Sequence, residues 1–268
     1  MFLAAALQLQ STSDEAANFE QASELTARAA AAGAQLVATP ENTNYLGPHE
    51  EKVRRAEPLD GPTVGRFAAL ARRHGIHFLL GSYNERAADE RRCFNTSVLF
   101  SPSGEIVAVY RKIHLFDVDV PGGVRFQESQ TVLPGEEIVV AETPLAKLGL
   151  TICYDLRFGE LYRALRRRDA EVMLVPSAFT LTTGRDHWEP LLRARAIETQ
   201  AYVLAPAQWG RHDDGGLKES YGHAMIVDPW GLVVAMAADG PGYALAEIDL
   251  ERVARVRRAI PVEDHRRL

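Results

Sequence analysis

Two segments of this 268-residue chain share one form: LFSPSGEIVAV at residues 99–109 and IVDPWGLVVAM at residues 226–236. Each is an apolar strand pattern, a turn carrying Pro and Gly, and a second apolar strand pattern. Each also closes a half in which strand and helix patterns alternate. The chain therefore reads as two similar halves, each supplying one sheet with helices on one face, with the sheets packed face to face. Periodicity alone equally permits a doubly wound single sheet. The length suits one large domain or two small ones, and at 46% hydrophobic residues there is ample material for a core.

In chain order, residues 2–8 read as a strand. Thr12 and Glu15 form a capping box ahead of an Ala-rich helix with Phe19, Ala22, Leu25 and Ala29 on one side, ended by Gly33. Residues 35–39 are a buried strand stopped by Pro40. Residues 62–73 make a helix with Pro62 in its first turn and Gly75 beyond its end. Residues 76–83 form a strand, 85–92 a polar connection, and the first hairpin follows. Residues 113–137, with Pro121, Gly122, Gly123, Pro134 and Gly135, are a long connection of the kind that usually carries function. Beyond residue 158 the expected order is a helix at 159–168, a strand in EVMLVPSAF, a helix carrying LLRARAIETQ, a strand at 202–207 and a polar loop at 208–222. The second hairpin, a strand at 243–248, a helix at 250–258 and an extended polar terminus complete the chain.

Composition excludes several classes. The net charge is −6, with both signs mixed along the chain, so no nucleic-acid partner is expected. The basic run at 163–168 reads as a solvated helix face. Two cysteines, Cys93 and Cys153, make no disulfide framework and suit a reducing cytoplasm. The opening MFLAAALQLQ lacks a basic leader and reads as a strand rather than a signal peptide. No apolar run is long enough to span a bilayer, so no membrane partner is expected.

The chemistry centres on LGLTICYDLRFGEL at residues 148–161. A short apolar strand stops at Cys153 and a helical pattern begins a few residues later. Strand, sharp turn and helix make an elbow that exposes one reactive side chain, and a thiol is the most nucleophilic neutral side chain near pH 7. Cys153 is therefore read as attacking a carbonyl carbon, whereas Cys93 reads as a small core thiol. Glu41 stands just past a strand end, where open sheets build their sites; from spacing alone it is also readable as a solvated loop carboxylate. Lys112, in YRKIHLFDVD, is one of only four lysines against 26 arginines. That hints at a need for a compact ammonium, although a surface lysine fits as well. Glu128, in RFQES, reads by itself as a solvated loop acid.

TPEN with Glu41, YRKIHLFD with Lys112 and GLTICYDLRFGEL with Cys153, in this order and spacing, resemble the carbon–nitrogen hydrolases of the nitrilase superfamily over nearly the whole chain. The resemblance implies an α/β fold, an α-β-β-α sandwich in a single domain spanning 1–268, and a homodimer or higher homo-oligomer. It implies a catalytic triad of Glu41, Lys112 and Cys153, with Glu128 as a second glutamate orienting Lys112 or the substrate amide. Glu41 would take the thiol proton, pass it to the leaving amine and later activate water. Lys112 and the backbone N–H of Tyr154 would hold the oxyanion. No metal or organic cofactor is required.

SAFTLTTGRDHWE, LLRARAIETQAYVLAPAQWGRH and SYGHAMIVDPWG resemble the Nit branch of amidases, which act on amides of small 2-oxo acids. AQWGRH and SYGH lean towards hydrolysis of deaminated glutathione. KIHLFDVDVPG and FQES lean towards omega-amidases, which take alpha-ketoglutaramate and alpha-ketosuccinamate. A substrate carboxylate needs a cationic partner; Arg157, Arg185 and Arg211 are candidates by position, although Arg157 also suits a pairing with Glu160. Phe179, Thr180, Thr183, His187 and Trp188 could line the pocket, with helix-start packing as the other reading of His187 and Trp188. The rivals are a Cys-His hydrolase using His114, His187 or His223, a nitrilase or N-carbamoyl amidohydrolase, and a binding protein on the same fold.

Overall fold

The computed structural model describes residues 1–119, 125–213 and 219–267. The first part of the chain forms Phe2–Leu9 (β1), Glu15–Ala31 (α1), Ala34–Ala38 (β2), Glu51–Arg54 (α2), Pro62–His74 (α3), His77–Arg86 (β3), Cys93–Phe100 (β4) and Ile106–Arg111 (β5). Short strands follow at Asp117–Asp119 (β6), Arg125–Gln127 (β7), Val132–Leu133 (β8) and Val140–Glu142 (β9). Then come Lys147–Leu150 (β10), Gly159–Arg167 (α4), Val172–Leu174 (β11), Leu181–Thr199 (α5), Tyr202–Ala205 (β12), Ala207–Arg211 (β13) and Glu219–Tyr221 (β14). Met225–Val227 (β15), Val233–Met236 (β16), Gly242–Ile248 (β17) and Leu250–Ala259 (α6) complete the described chain.

Two sheets result. One runs β14-β13-β1-β2-β3-β4-β5, with β17 also paired to β1 and β8 to β4; the other runs β16-β15-β12-β11-β10-β9. Successive strand residues point to opposite faces, and the first sheet is buried on both. Ala5, Leu7, Leu9, Val37, Phe78, Leu80, Val98 and Phe100 pack against Ala22, Leu25 and Ala29 of α1 and Val64, Phe67 and Leu70 of α3. The intervening Ala4, Ala6, Leu36, Ala38, Leu79 and Leu99 pack into a second core with Leu148, Leu150, Val172 and Leu174 of the other sheet. Leu161, Tyr162 and Leu165 of α4 and Trp188, Leu192 and Ala196 of α5 belong to that same core. The layers are therefore helix, sheet, sheet, helix, which settles the choice against a single doubly wound sheet. Both repeated segments are hairpins: β4–β5 edges one sheet and β15–β16 the other.

Four local expectations are corrected. The cap of α1 is Asp14, whose carboxylate accepts from the N–H of Ala16 and Ala17, while Thr12 Oγ1 accepts from Asp14 N instead of capping the helix. A full negative charge placed at the first turn outcompetes the hydroxyl two residues earlier. The expected strand at 202–207 is two strands in different sheets: Pro206, lacking an N–H, breaks the ladder, so β12 stays in the second sheet and β13 joins β1. The expected loop at 208–222 accordingly contains β13 and β14, which pair with each other. The polar terminus turns rather than extends, with His265 N–H donating to the Pro261 carbonyl. Within the long connection, β6 and β7 form a small hairpin; its Pro121, Gly122 and Gly123 lie outside the described residues, as do 214–218 of the second loop.

Candidate active site

The sharp turn after β10 is built as the elbow pattern requires. Thr151 N donates to the Leu174 carbonyl and Cys153 N to the Pro176 carbonyl, which ties the turn to the neighbouring strand. Cys153 itself has φ +48°, in the left-handed region. A non-glycine residue held there is strained and has to be over-determined by its surroundings. Asp155 does much of this. Its fully buried carboxylate accepts from Ile152 N at 2.8 Å, Tyr110 OH at 2.6 Å and His114 N at 3.0 Å, with His114 Nδ1 at 2.7 Å. Ile152 and Asp155 flank Cys153 in sequence, and Tyr110 and His114 flank Lys112, so one carboxylate sets the two segments in register.

Glu41 arrives from the end of β2. Gly81 on β3 makes that approach possible: a Cβ there would lie 1.9 Å from the Thr39 carbonyl oxygen and 2.3 Å from that of Pro40. Glu41 Oε1 accepts from Lys112 Nζ at 2.9 Å and Asn95 Nδ2 at 2.9 Å, and Oε2 from Ala178 N at 3.0 Å. Glu128 Oε2 accepts from Lys112 Nζ at 2.8 Å and Phe116 N at 2.7 Å, and its Oε1 from Asn95 Nδ2 at 3.2 Å. Lys112 is 2% exposed and lies between two carboxylates that are 4% and 3% exposed.

Electrostatics fix the resting state. Burial works against the Lys112 ammonium, but Glu128 and then Glu41 more than offset it, and its pKa stands well above the usual lysine value. Burial alone would raise Glu128; Lys112, then Lys52, with hydrogen bonds from Lys112 and Phe116 N, hold it down at about 2. Burial, followed by the charge of Glu41 and a hydrogen bond to it, pushes the Cys153 thiol well up. Cys153 is thus held as a thiol beside Glu41 at rest. Moving the proton from Cys153 to Glu41 leaves the net charge of the cluster unchanged and places the new thiolate near the Lys112 ammonium.

The cavity above this cluster is lined by Tyr154, Arg157, Phe179, Thr180 and Thr183, together with Asn42, Leu46, Phe116, Phe126, Ala178 and Ser220. Arg157 lies 5.1 Å from the Phe179 ring centroid and makes no ion pair with Glu160 or any other acid among the described residues. Two expected residues are elsewhere. Trp188 is fully buried, donating Nε1–H to the His223 carbonyl and packing on Phe179 at 5.1 Å. His187 is exposed, with Nδ1 3.4 Å from Arg157 Nη1. Because α5 starts at Leu181, His187 stands one turn above Thr183, about 6 Å along the axis, and Trp188 rotates into the core. Arg185 and Arg211 line a separate surface groove with Trp209 and Tyr221.

None of the three candidate histidines lines the cavity. His114 is stacked on Phe158 at 3.7 Å, and His223 on Tyr221 at 4.2 Å. Asn95, Asn42, Ser220 and Asp155 escaped the sequence reading. Asn95 did leave a signal, because an Asn within a strand pattern is disfavoured unless its side chain is used. Ser220 Oγ is 2.9 Å from His212 Nε2, whose Nδ1 is 2.8 Å from the Ser11 carbonyl. AQWGRH and SYGH thus meet at the cavity wall.

A carbon-nitrogen hydrolase family model matches residues 3–258. A deaminated glutathione amidase of Synechocystis is 44% identical, covering 99% of this chain and 98% of that one. The Caenorhabditis elegans NitFhit protein superposes with a TM-score of 0.93 at 41% identity; 99% of this chain aligns, and it spans 65% of that longer protein. Saccharomyces cerevisiae Nit3, a member of the nitrilase superfamily, superposes with a TM-score of 0.89 at 32% identity, over 100% of this chain and 97% of its own. With both sheets of the sandwich, and the elbow within it, covered by these matches, this chain belongs to the carbon–nitrogen hydrolases of the nitrilase superfamily.

Proposed function

We propose that this chain is a cysteine-dependent amidase that hydrolyses the amide of a small 2-oxo acid, with deaminated glutathione as its main substrate, through a thioester acyl-enzyme. The observation that carries the reading is Glu41, which is hydrogen-bonded to Lys112 and Ala178 N and lies against the Cys153 thiol. One carboxylate there touches both the nucleophile and the cation that will face the oxyanion.

Cys153 Sγ bonds to the amide carbon as its proton passes to Glu41. Lys112 and the backbone N–H of Tyr154 hold the resulting oxyanion, with Glu128 and Asn95 holding Lys112 and Glu41 in place. Collapse breaks the C–N bond while Glu41 returns the proton to the leaving nitrogen, and the amine departs. Glu41 then takes a proton from water, whose oxygen attacks the thioester; collapse releases the acid and restores the thiol. Arg157, on the cavity wall without an acidic partner among the described residues, suits the substrate carboxylate. Phe179, Thr180 and Thr183 complete that side.

The 44% identical relative is named for deaminated glutathione, and hydrolysis of that amide releases 2-oxoglutarate and a dipeptide. The second reading is an omega-amidase on alpha-ketoglutaramate, which shares the acid product and releases ammonia. It is favoured by KIHLFD and FQES, which supply Lys112, Phe116, Phe126 and Glu128 of the site. Measuring 2-oxoglutarate release from both substrates separates them. Activity on neither discards the substrate assignment.

We place the whole of 1–268 in one catalytic domain, since β1 and β17, from opposite ends of the chain, are adjacent strands. A second copy is the natural cover for Trp230, Leu232 and Ile197, each more than half exposed and adjoining where Gly231 meets Ile197; Trp230→Arg should shift the sedimentation of the chain towards monomer. Both cysteines are free, which favours the cytoplasm, and no helix among the described residues is long and apolar enough to cross a membrane.

A further inference from the structure

We propose that Asn42 contacts the substrate and recognises a peptide group on its leaving amine. The inference rests on the amidase reading above and sharpens its substrate class. Asn42 directly follows Glu41, lines the cavity and is 6% exposed. Its backbone is fully engaged: the N–H donates to Ser82 Oγ at 2.8 Å, and the carbonyl accepts from Gln208 Nε2 at 3.4 Å. The neighbouring residues are held in the same way, with Glu41 O accepting from Gln208 Nε2 at 3.0 Å and Thr43 N donating to Ser82 O at 3.0 Å. Its carboxamide, by contrast, hydrogen-bonds to no group among the described residues. Three other carboxamides nearby are committed to the protein: Asn18 bonds to Thr12 and Asn44, Gln208 to Ser11 and Glu41, and Asn95 to Glu41 and Glu128, whereas Asn44, whose Oδ1 also lacks a partner, does not line the cavity.

Backbone conformation accounts for only half of this choice. Asn42 has φ +56°, which asparagine tolerates better than most residues and glycine adopts freely. Glycine would satisfy the turn, so the turn leaves the side chain unexplained. A carboxamide on the cavity wall without a protein partner among the described residues is free to bond a ligand there. The carboxamide offers an acceptor and two donors, the complement of a peptide C=O and N–H. Glu41 must reach the leaving nitrogen to protonate it. Whatever is bonded to that nitrogen extends from Glu41 along the wall that continues the same loop, where Asn42 and Leu46 stand. Ammonia leaves nothing for Asn42 to hold, whereas a dipeptide presents an amide.

The test compares wild type with Asn42→Gly, which keeps the left-handed backbone and removes only the side chain. The readout is the ratio of kcat/KM on deaminated glutathione to kcat/KM on alpha-ketoglutaramate, followed by 2-oxoglutarate release. The ratio should fall about tenfold, carried mainly by KM on the peptidyl amide. A ratio within twofold of wild type overturns the proposal, whether both activities hold or both fall together. A wild type that cleaves alpha-ketoglutaramate but not deaminated glutathione instead overturns the substrate reading, and this inference with it. In a Cys153→Ala background, Asn42→Gly should weaken calorimetric binding of deaminated glutathione more than binding of 2-oxoglutarate. Equal weakening would count against a contact on the leaving group.

Discussion

Glu128→Gln is the perturbation that most directly probes the buried cluster. The side chains are nearly isosteric, so packing is retained. Glu128 accepts from three donors, Lys112 Nζ at 2.8 Å, Phe116 N at 2.7 Å and Asn95 Nδ2 at 3.2 Å. A glutamine has one acceptor oxygen, and its NH2 must then face one of those donors. The lost charge matters as much. Glu128 is held at about 2 against an ordinary 4.5, a difference of roughly 2.5 units or about 3 kcal/mol of stability. Breaking a buried ion pair from one side typically costs about 3–5 kcal/mol, so the two routes agree.

The sign of the pH dependence follows. A carboxylate whose pKa is lowered on folding contributes its full stability above the unfolded value, near 4.5, and loses it as pH falls towards 2. Urea unfolding of wild type and Glu128→Gln at pH 7 should therefore differ by about 3 kcal/mol, with the gap closing as pH falls below 4.5. Turnover at pH 7 should drop by about a hundredfold or more, because the Lys112 ammonium loses one of its two anchors. A gap below about 1 kcal/mol at pH 7, or one that stays constant as the pH is lowered, would refute the claim that Glu128 is a charged partner of Lys112.

Further outcomes follow from the same geometry. Cys153→Ala should abolish turnover while leaving the melting curve intact, and mass spectrometry should find the acyl adduct only on protein carrying Cys153. Lys112→Arg keeps the charge, but a planar fork does not fit a site where the lysine is 2% exposed between two carboxylates; kcat should fall at least about a hundredfold, and activity near wild type would remove Lys112 from the oxyanion. Arg157→Gln should raise KM for 2-oxo acid amides about tenfold or more with little change in kcat, as read from initial rates. Because burial and Glu41 push the Cys153 thiol up, iodoacetamide should alkylate the resting enzyme slowly at pH 7 and faster in Glu41→Gln, which lacks the opposing charge. Equal rates would mean that Glu41 does not set the state of the thiol.

How far the site could be read from the chain depended on where each residue stood. Glu41 and Cys153 follow the ends of buried strands, and a strand stopped by Pro40 or by a turn leaves a visible boundary. The repeated hairpins likewise made the two halves visible, because alternation and turn residues are local signals. Glu128 was harder to place, since periodicity says little within residues 113–137, and what buries it is a hydrogen-bonded approach to Lys112 sixteen residues earlier. His187 and Trp188 were misplaced because the rotation of a helix depends on its first residue. Asn42, Asn95 and Asp155 stayed hidden because a single Asn or Asp has many local uses, and only its long-range partners show which one applies.

Those partners also explain why the site forms where it does. Glu41 and Lys112 leave the first sheet, from β2 and β5, whereas Cys153 leaves the second, from β10. Apolar packing between sheets is adaptable and sets their separation more firmly than their sliding register. Directional contacts have to supply the rest. Asp155 binds Tyr110 and His114 from the first-sheet side, and Ala178 N, in the chain after β11, donates to Glu41. These bonds cross the sandwich in opposite directions, and each involves a reacting residue or a neighbour of one. Asp155→Asn should therefore damage kcat more than KM: its amide N–H would oppose the donors of Tyr110, Ile152 or His114, letting the elbow shift against Lys112 while Arg157 and the aromatic wall stay in place. Tyr110→Phe removes one donor without adding a conflict, and in combination with Asp155→Asn it should restore part of the lost kcat. A purely structural role for Asp155 would instead lower the melting temperature, leave the kcat of the surviving folded enzyme intact, and show no such rescue.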